Sequence, residues 1–238
     1  MKVVLPCLFS LPLIPAFSAH PSLARCRTPT SVGAVRQATF GMGCFWEPAE
    51  SLLQVDGVLD TVVGYTGNPK ATAAPSYDNV CFGRDWVEGV RVTYDDDQVS
   101  YEQLLEAFFD KQKPKLGSRQ YASIIFPHDS EQEKIAREWR QKNADRQAND
   151  GFRLEWTEIE PQSAFYQAEG YHQRYWQKQR PRFALIIALL AVSTGVLDSV
   201  VPEVYQKTVE TGANAGVFLV GLYQMLERVV DSKVVELS

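Results

Sequence analysis

Apolar residues recur along the chain in two rhythms. Val90, Val92 and Tyr94 alternate with Arg91 and Thr93, the period of two that marks a strand over 87–94. Val58 to Tyr65 reads as a second strand, Ala38-Thr39-Phe40 as a short one, and Ser123 to Phe126 as a buried one. Phe152 to Ile159 alternates as a further strand. Helical spacing appears at Leu104, Leu105, Phe108 and Phe109, after Ser100 with Gln103 as a capping box. Ser130 with Glu133 predicts a second box, opening a helix to about Asn143 with Ile135, Ala136 and Trp139 on one face. Pro48 sits where a first helical turn accepts proline, and Ser51-Leu52-Leu53 continue that helix. Strands and helices interleave without a fixed repeat, and hairpin turns are few. The pattern predicts an α+β fold, a two-layer α/β sandwich with a mixed sheet and a ferredoxin-like core, rather than a doubly wound nucleotide fold.

The two ends break this pattern. Lys2 precedes an apolar stretch from Val3 to Ala16, with small residues near Ala19. Residues 1–19 therefore read as a signal peptide, and its prolines at 6, 12 and 15 oppose a spanning helix. That expectation places the protein in the secretory pathway or outside the cell. The basic, hydroxylated stretch at 23–31 also leaves open a plastid or other organelle reached by that route. Residues 20–35 read as a flexible arm, 36–182 as the catalytic domain and 183–238 as an apolar, helical C-terminal extension. Phe183 to Leu197 carries no charge, but at helical rise it covers about 22 Å, short of a hydrocarbon core of about 30 Å. Buried or partner-contacting helices are expected there in preference to membrane association.

Composition narrows the class. The 238 residues are 45% hydrophobic and 22% charged, which is ordinary for a globular protein and excludes a disordered or collagen-like chain. Twenty-four basic against 29 acidic residues give a net charge of −5, which disfavours a nucleic-acid partner. Four cysteines are too few for a disulfide scaffold and show no metal-ligand pairing, so no metal is expected.

Of these, Cys44 stands in Gly41-Met42-Gly43-Cys44-Phe45-Trp46, between a glycine turn and a helix start. Unpaired N–H groups and the helix dipole there favour a negative sulfur, so a reactive thiolate is expected. Phe45 and Trp46 suit an apolar cup for a small group such as a thioether methyl. A buried structural role for Cys44 and the aromatics is the plainer alternative.

Gly43-Cys44-Phe45-Trp46 resembles the signature of type A peptide methionine sulfoxide reductases. Further blocks resemble the same family in order: Val63-Gly64-Tyr65-Thr66-Gly67, Pro75-Ser76-Tyr77, Val80-Cys81-Phe82-Gly83, Glu88 to Asp95, Gln120-Tyr121, and Phe165 to Tyr175. The resemblance spans residues 36 to 182. It implies reduction of the S epimer of methionine sulfoxide, protein-bound or free, in repair after oxidation. It implies Cys44 as the nucleophile, passing through a sulfenic acid, Glu88 as the proton donor, and Tyr77 and Tyr121 as partners of the sulfoxide oxygen. Phe45 and Trp46 would hold the methyl group. No organic cofactor is implied, only an external thiol reductant such as thioredoxin or glutaredoxin.

Three departures from the family pattern stand out. Trp86 replaces a histidine two residues before Glu88, which is expected to alter the pocket rim. The loop Lys115 to Arg119 is short and basic, and Ala49 replaces a glutamate. No cysteine follows Cys81, so the candidate resolving cysteines are Cys26 and Cys81, with a structural role preferred for Cys81. Cys7 would leave with the signal peptide. Two rival functions remain open: a cysteine hydrolase, with His172 as the candidate base, and a binding module for oxidised methionine.

Overall fold

The computed structural model describes residues 33–148 and 151–237. The expected signal peptide, Cys7 and Cys26 lie outside the described residues. Four strands make the centre: β1 (Val35–Met42), β2 (Val58–Thr66), β3 (Val87–Asp95) and β4 (Ser123–Phe126). They lie in the order β4-β1-β3-β2, each antiparallel to its neighbours. Helix α1 (Trp46–Leu53) joins β1 to β2, and the β2–β3 connection carries a short α2 (Tyr77–Phe82). Between β3 and β4 comes α3 (Tyr101–Lys111). This is the expected ferredoxin-like core. After α4 (Ser130–Lys142), β5 (Glu158–Ile159) pairs parallel to β4, which makes the sheet mixed. On the other edge β6 (Phe165–Gln167) pairs with β2.

The period-two rhythm of β1 explains its packing. Ala38, Phe40 and Met42 are buried in the main core, and the Phe40 ring stacks on Phe108 of α3 at 5.0 Å. Burying a phenylalanine side chain contributes about 1.5–3 kcal/mol, so this pair helps fix the helix on the sheet. Thr39 points to the opposite face, where its hydroxyl meets His128 Nε2 at 2.8 Å. The Ser100–Gln103 capping box forms in both directions.

Two local expectations differ from the structure. The N-cap of α4 is Asp129, whose carboxylate accepts the Gln132 N–H at 2.8 Å, while Gln132 reaches back to the His128 N–H at 3.0 Å. A carboxylate opposes the positive helix end better than a hydroxyl, so the reciprocal pair shifts one residue towards the N-terminus. Within 152–159 only Glu158–Ile159 pairs as strand. Leu154–Trp156 is a 3-10 turn, because Leu154 is drawn wholly into the core and Phe152 packs edge-on to Trp156 at 5.5 Å.

At the C-terminal end, α5 (Tyr175–Ser193) runs through the 182/183 boundary, and α6 (Glu203–Val230) packs against it. Lys178 and Arg182 of α5 both pair with Glu227 of α6, at 3.2 and 2.6 Å. Further on, Leu189 lies beside Gly216, so the two helices run antiparallel. The last strand, β7 (Val235–Leu237), then joins β6. Among the described residues no helix is long and apolar enough to cross a membrane.

Candidate active site

Cys44 lies where β1 ends and α1 begins. The turn depends on Gly43, whose φ is +81°, a conformation that costs other residues strain. A β-carbon there would fall 1.9 Å from the Lys113 carbonyl oxygen. The Lys113 N–H in turn donates to Met42 O at 2.7 Å, so the 113–114 segment clamps the turn that presents the thiol.

Glu88 reaches the same place from β3. It is 4% exposed, and its two carboxylate oxygens take different partners. One accepts the Phe45 backbone N–H at 3.2 Å, and the other accepts Gln120 Nε2 at 2.6 Å. The Gln120 carbonyl also accepts the Glu88 N–H at 2.9 Å, so Gln120 grips the acid by backbone and side chain. Burial pushes Glu88 up to about 7, against the opposing pull of these two donors and Lys115. A carboxyl near 7 holds a proton in part at neutral pH, as a general acid requires.

The Cys44 thiol behaves differently from expectation. Its ionisation is pushed upward, first by burial and then by the negative charge of Glu88. The Trp46 backbone N–H and the Lys115 ammonium pull the other way and do not prevail. The reason is tertiary. Folding buries the sulfur and brings Glu88 onto the Phe45 N–H beside it, and the Trp46 N–H left to the sulfur does not offset the two. Thiolate formation is therefore coupled to the Glu88 proton: a neutral Glu88 removes the charge that opposes it.

Tyr77 and Tyr121 complete the polar side. Tyr77 opens α2, with Ser76 as its N-cap, and Tyr121 follows Gln120. Burial raises Tyr121 to about 12, with Glu88, Cys44 and Cys81 all adding repulsion, and Tyr77 is raised by its contact with Cys81 and by burial. Both hydroxyls are thus neutral donors near Glu88, and Tyr121 is also within reach of Cys44. Cys81 stands closer to this network than a remote structural thiol would, since Gln120 Nε2 lies 3.8 Å from its sulfur. Both Cys44 and Cys81 are free.

The aromatic side is built in layers. The Phe45 ring is buried against Tyr65 and His172, at 6.1 and 5.3 Å between centroids. Trp46 stacks flat on Tyr175 at 4.0 Å, and its indole N–H donates to His172 Nδ1 at 3.0 Å. His172 is buried, and burial followed by the Arg228 charge lowers it to about 4, so it is neutral. Its Nδ1 lone pair is already occupied by Trp46. His172 therefore lacks the free basic nitrogen that a cysteine hydrolase would need, and it orients the tryptophan instead. The adjacent Gln173 accepts the Val63 N–H at 3.1 Å and donates to Val63 O at 2.9 Å, stitching this segment to β2.

Three further residues resolve questions the chain pattern left open. Arg119 turns away from Cys44 to Glu160, at 2.5 and 2.8 Å, and to the Gly67 carbonyl at 2.8 Å. Trp86 is buried edge-on against Tyr166 at 5.6 Å, within the core. Lys115, in the short loop, is the cation that acts on both Cys44 and Glu88, and its Nζ sits 4.8 Å over the Tyr121 ring. Lys115, Gln120 and Tyr175 contact or act on these groups, although the motif alone does not single them out. The dipeptide Gln120-Tyr121 was the available signal for one of them.

The chain is similar to known proteins of one family. The family model for peptide methionine sulfoxide reductase matches residues 36–193. A peptide methionine sulfoxide reductase of Methanoculleus marisnigri is 41% identical over 61% of this chain and 92% of its own length. One from Rhodospirillum centenum is 39% identical over 70% of this chain and 76% of its own. Among solved structures, methionine sulfoxide reductase A of Corynebacterium diphtheriae aligns with a TM-score of 0.50 and 28% identity, covering 62% of this chain and 76% of that one.

Proposed function

The chain belongs to the peptide methionine sulfoxide reductase family and reduces methionine sulfoxide in protein repair, and we propose that Cys44 is its nucleophile and Glu88 its proton donor. The S epimer is the proposed substrate form. The observation that carries the reading is the buried Glu88 carboxyl, held between the Phe45 N–H and the Gln120 amide beside the thiol.

The step balances as an oxygen transfer. The Cys44 sulfur attacks the sulfoxide sulfur, and the sulfoxide oxygen takes the Glu88 proton while Tyr77 and Tyr121 donate hydrogen bonds to it. Two electrons pass from the Cys44 sulfur to the methionine sulfur. The sulfoxide S–O bond then breaks as the protonated oxygen passes to the Cys44 sulfur, and the transient S–S bond breaks with it. Methionine leaves, the Cys44 thiol proton replaces the one Glu88 gave, and Cys44 is left as a sulfenic acid. Two thiols then return Cys44 to its reduced form, releasing water and becoming a disulfide. The packed Phe45 ring and the stacked Trp46 plane offer the apolar wall that a methyl group needs.

The proposed reductant is an external dithiol of the thioredoxin or glutaredoxin class, or a small thiol. Cys81 is the candidate internal resolver among the described residues, supported by its place beside Gln120 and Tyr77. A secretory route remains proposed on the sequence pattern of residues 1–19 alone.

The test is reduction of S- and R-epimer methionine sulfoxide peptides with dithiothreitol. The wild type is expected to consume only the S epimer, and Cys44→Ser none. Substantial turnover by Cys44→Ser would sink the mechanism. Mass spectrometry after one turnover without reductant separates a Cys44 sulfenic acid from a Cys44–Cys81 disulfide.

A further inference from the structure

The family match ends at residue 193, and α6 lies wholly beyond it. Yet α6 stands against the active site. A cavity of about 260 Å³ is bounded on one side by Trp46, Tyr77 and His172, and on the other by Gln224, Glu227 and Arg228 of α6. One wall is the aromatic cup beside Cys44; the other is supplied by the C-terminal extension.

The placement of α6 is held at its end by several contacts. Glu227 is pinned by Lys178 and Arg182. Lys178 also donates to the Gly170 carbonyl at 2.8 Å, and the Gly170 N–H donates to Asp231 O at 3.0 Å. Gly170 opens the turn that carries His172. The helix is thus tied directly to the segment that orients Trp46.

The charges on that wall are unequal. Glu227 is neutralised by two cations. Arg228 is exposed and has no hydrogen bond or ion pair among the described residues. Its charge nevertheless reaches the site, since it disfavours protonation of His172 and counteracts the upward push on Tyr171. The cavity beside the proposed methionine pocket therefore carries, among the described residues, a positive charge without an ion-pair partner, set on a helix held at its end.

We propose that α6 is a substrate-selecting wall, on which Arg228 binds an acidic side chain flanking the oxidised methionine of a protein substrate. The inference rests on the reductase reading and adds a preference to it. The cavity of about 260 Å³ adjoins Trp46, the proposed partner of the methyl group, and the guanidinium matches a carboxylate as a bidentate partner. A basic flanking residue would instead meet like charge.

The test uses the full chain and three peptides bearing the S sulfoxide with Glu, Gln or Lys beside it. With dithiothreitol as reductant, kcat/KM is expected to fall in the order Glu, Gln, Lys, with about a two- to fivefold span, the size of one exposed ion pair. The span should shrink as salt is raised. Arg228→Glu should invert the order, and Arg228→Lys should keep it. Equal kcat/KM for the three peptides in the active wild type overturns the selecting role and leaves the reductase reading intact. An unchanged order in Arg228→Glu overturns it as well. Failure to reduce any of the three overturns the reductase reading itself. Where Arg228→Glu folds poorly, by circular dichroism, Arg228→Gln is expected to abolish the salt-dependent part of the span, and a retained span overturns the role.

Discussion

The carboxylate of Glu88 accepts the backbone N–H of Phe45 at 3.2 Å, so the acid is tied to the residue directly after Cys44, the proposed nucleophile. That bond links β3 to the entrance of α1 and limits how far the Glu88 carboxyl and the Cys44 sulfur can drift apart. It also places a negative charge where an isolated helix would have stabilised a thiolate. Glu88 and Cys44 are therefore not independent groups, and the ionisation of the thiol depends on the protonation of the acid.

Stability should depend on this acid. Glu88 moves from its ordinary 4.5 to about 7 on folding, so the folded state binds the proton more tightly. Its contribution is fully present below about 4.5 and is lost as pH rises through about 7, a change of about 3 kcal/mol. Glu88→Gln cannot ionise. Chemical denaturation at pH 5 and pH 8 should show the wild type losing stability relative to Glu88→Gln across that interval. Turnover of Glu88→Gln should fall by about a hundredfold or more.

Gln120 tunes the acid. Its amide donates to Glu88 at 2.6 Å and opposes the upward push of burial. Gln120→Leu removes that donor, so Glu88 should hold its proton to higher pH. The alkaline limb of the kcat/KM profile should shift upward, by about one pH unit for one charge-assisted bond. A limb that stays in place would mean that another group carries the proton.

Lys115 assists the thiol from the short loop. Its charge lowers both Cys44 and Glu88 against the larger effect of burial. Lys115→Gln should raise the Cys44 thiol further. The rate of iodoacetamide alkylation at pH 8 should drop by about two- to threefold, the size expected of one solvated charge. Because Lys115 is exposed, the effect should weaken in high salt.

Gly43 is a conformational requirement. With φ at +81° and the Lys113 carbonyl 1.9 Å from any added β-carbon, alanine must move either the turn or the 113–114 segment. Gly43→Ala should cost about 1–3 kcal/mol by thermal or denaturant melting. It should also reduce turnover more than the lost stability explains, since the displaced turn carries Cys44.

Much of the fold was visible in local pattern. The alternation of Val90, Val92 and Tyr94, the Ser100–Gln103 box and the apolar Ser123–Phe126 run each specify an element through nearby atoms. Phe152 to Ile159 misled because its alternation is satisfied by loop packing of Leu154 and Phe152, which periodicity cannot distinguish from a pleat. The Ser130 cap misled because a neighbouring Asp129 offered a better acceptor one residue earlier.

For the site, the sequence motif around Cys44, Glu88, Tyr77 and Tyr121 was enough to nominate the chemical groups, since residue type and order carry that information. It could not assign their ionisation. Burial of Glu88, its bonds to Phe45 and Gln120, and the charge of Lys115 arise from chain segments brought together only on folding, and electrostatic free energy depends on those distances and on the water excluded between them. The same holds for the far end of the chain. Residues 183–238 read as an apolar extension without a task. Tertiary packing sets Arg228 across a cavity from Trp46, because strand pairing at β7 and the Glu227 ion pairs return the extension to the catalytic edge.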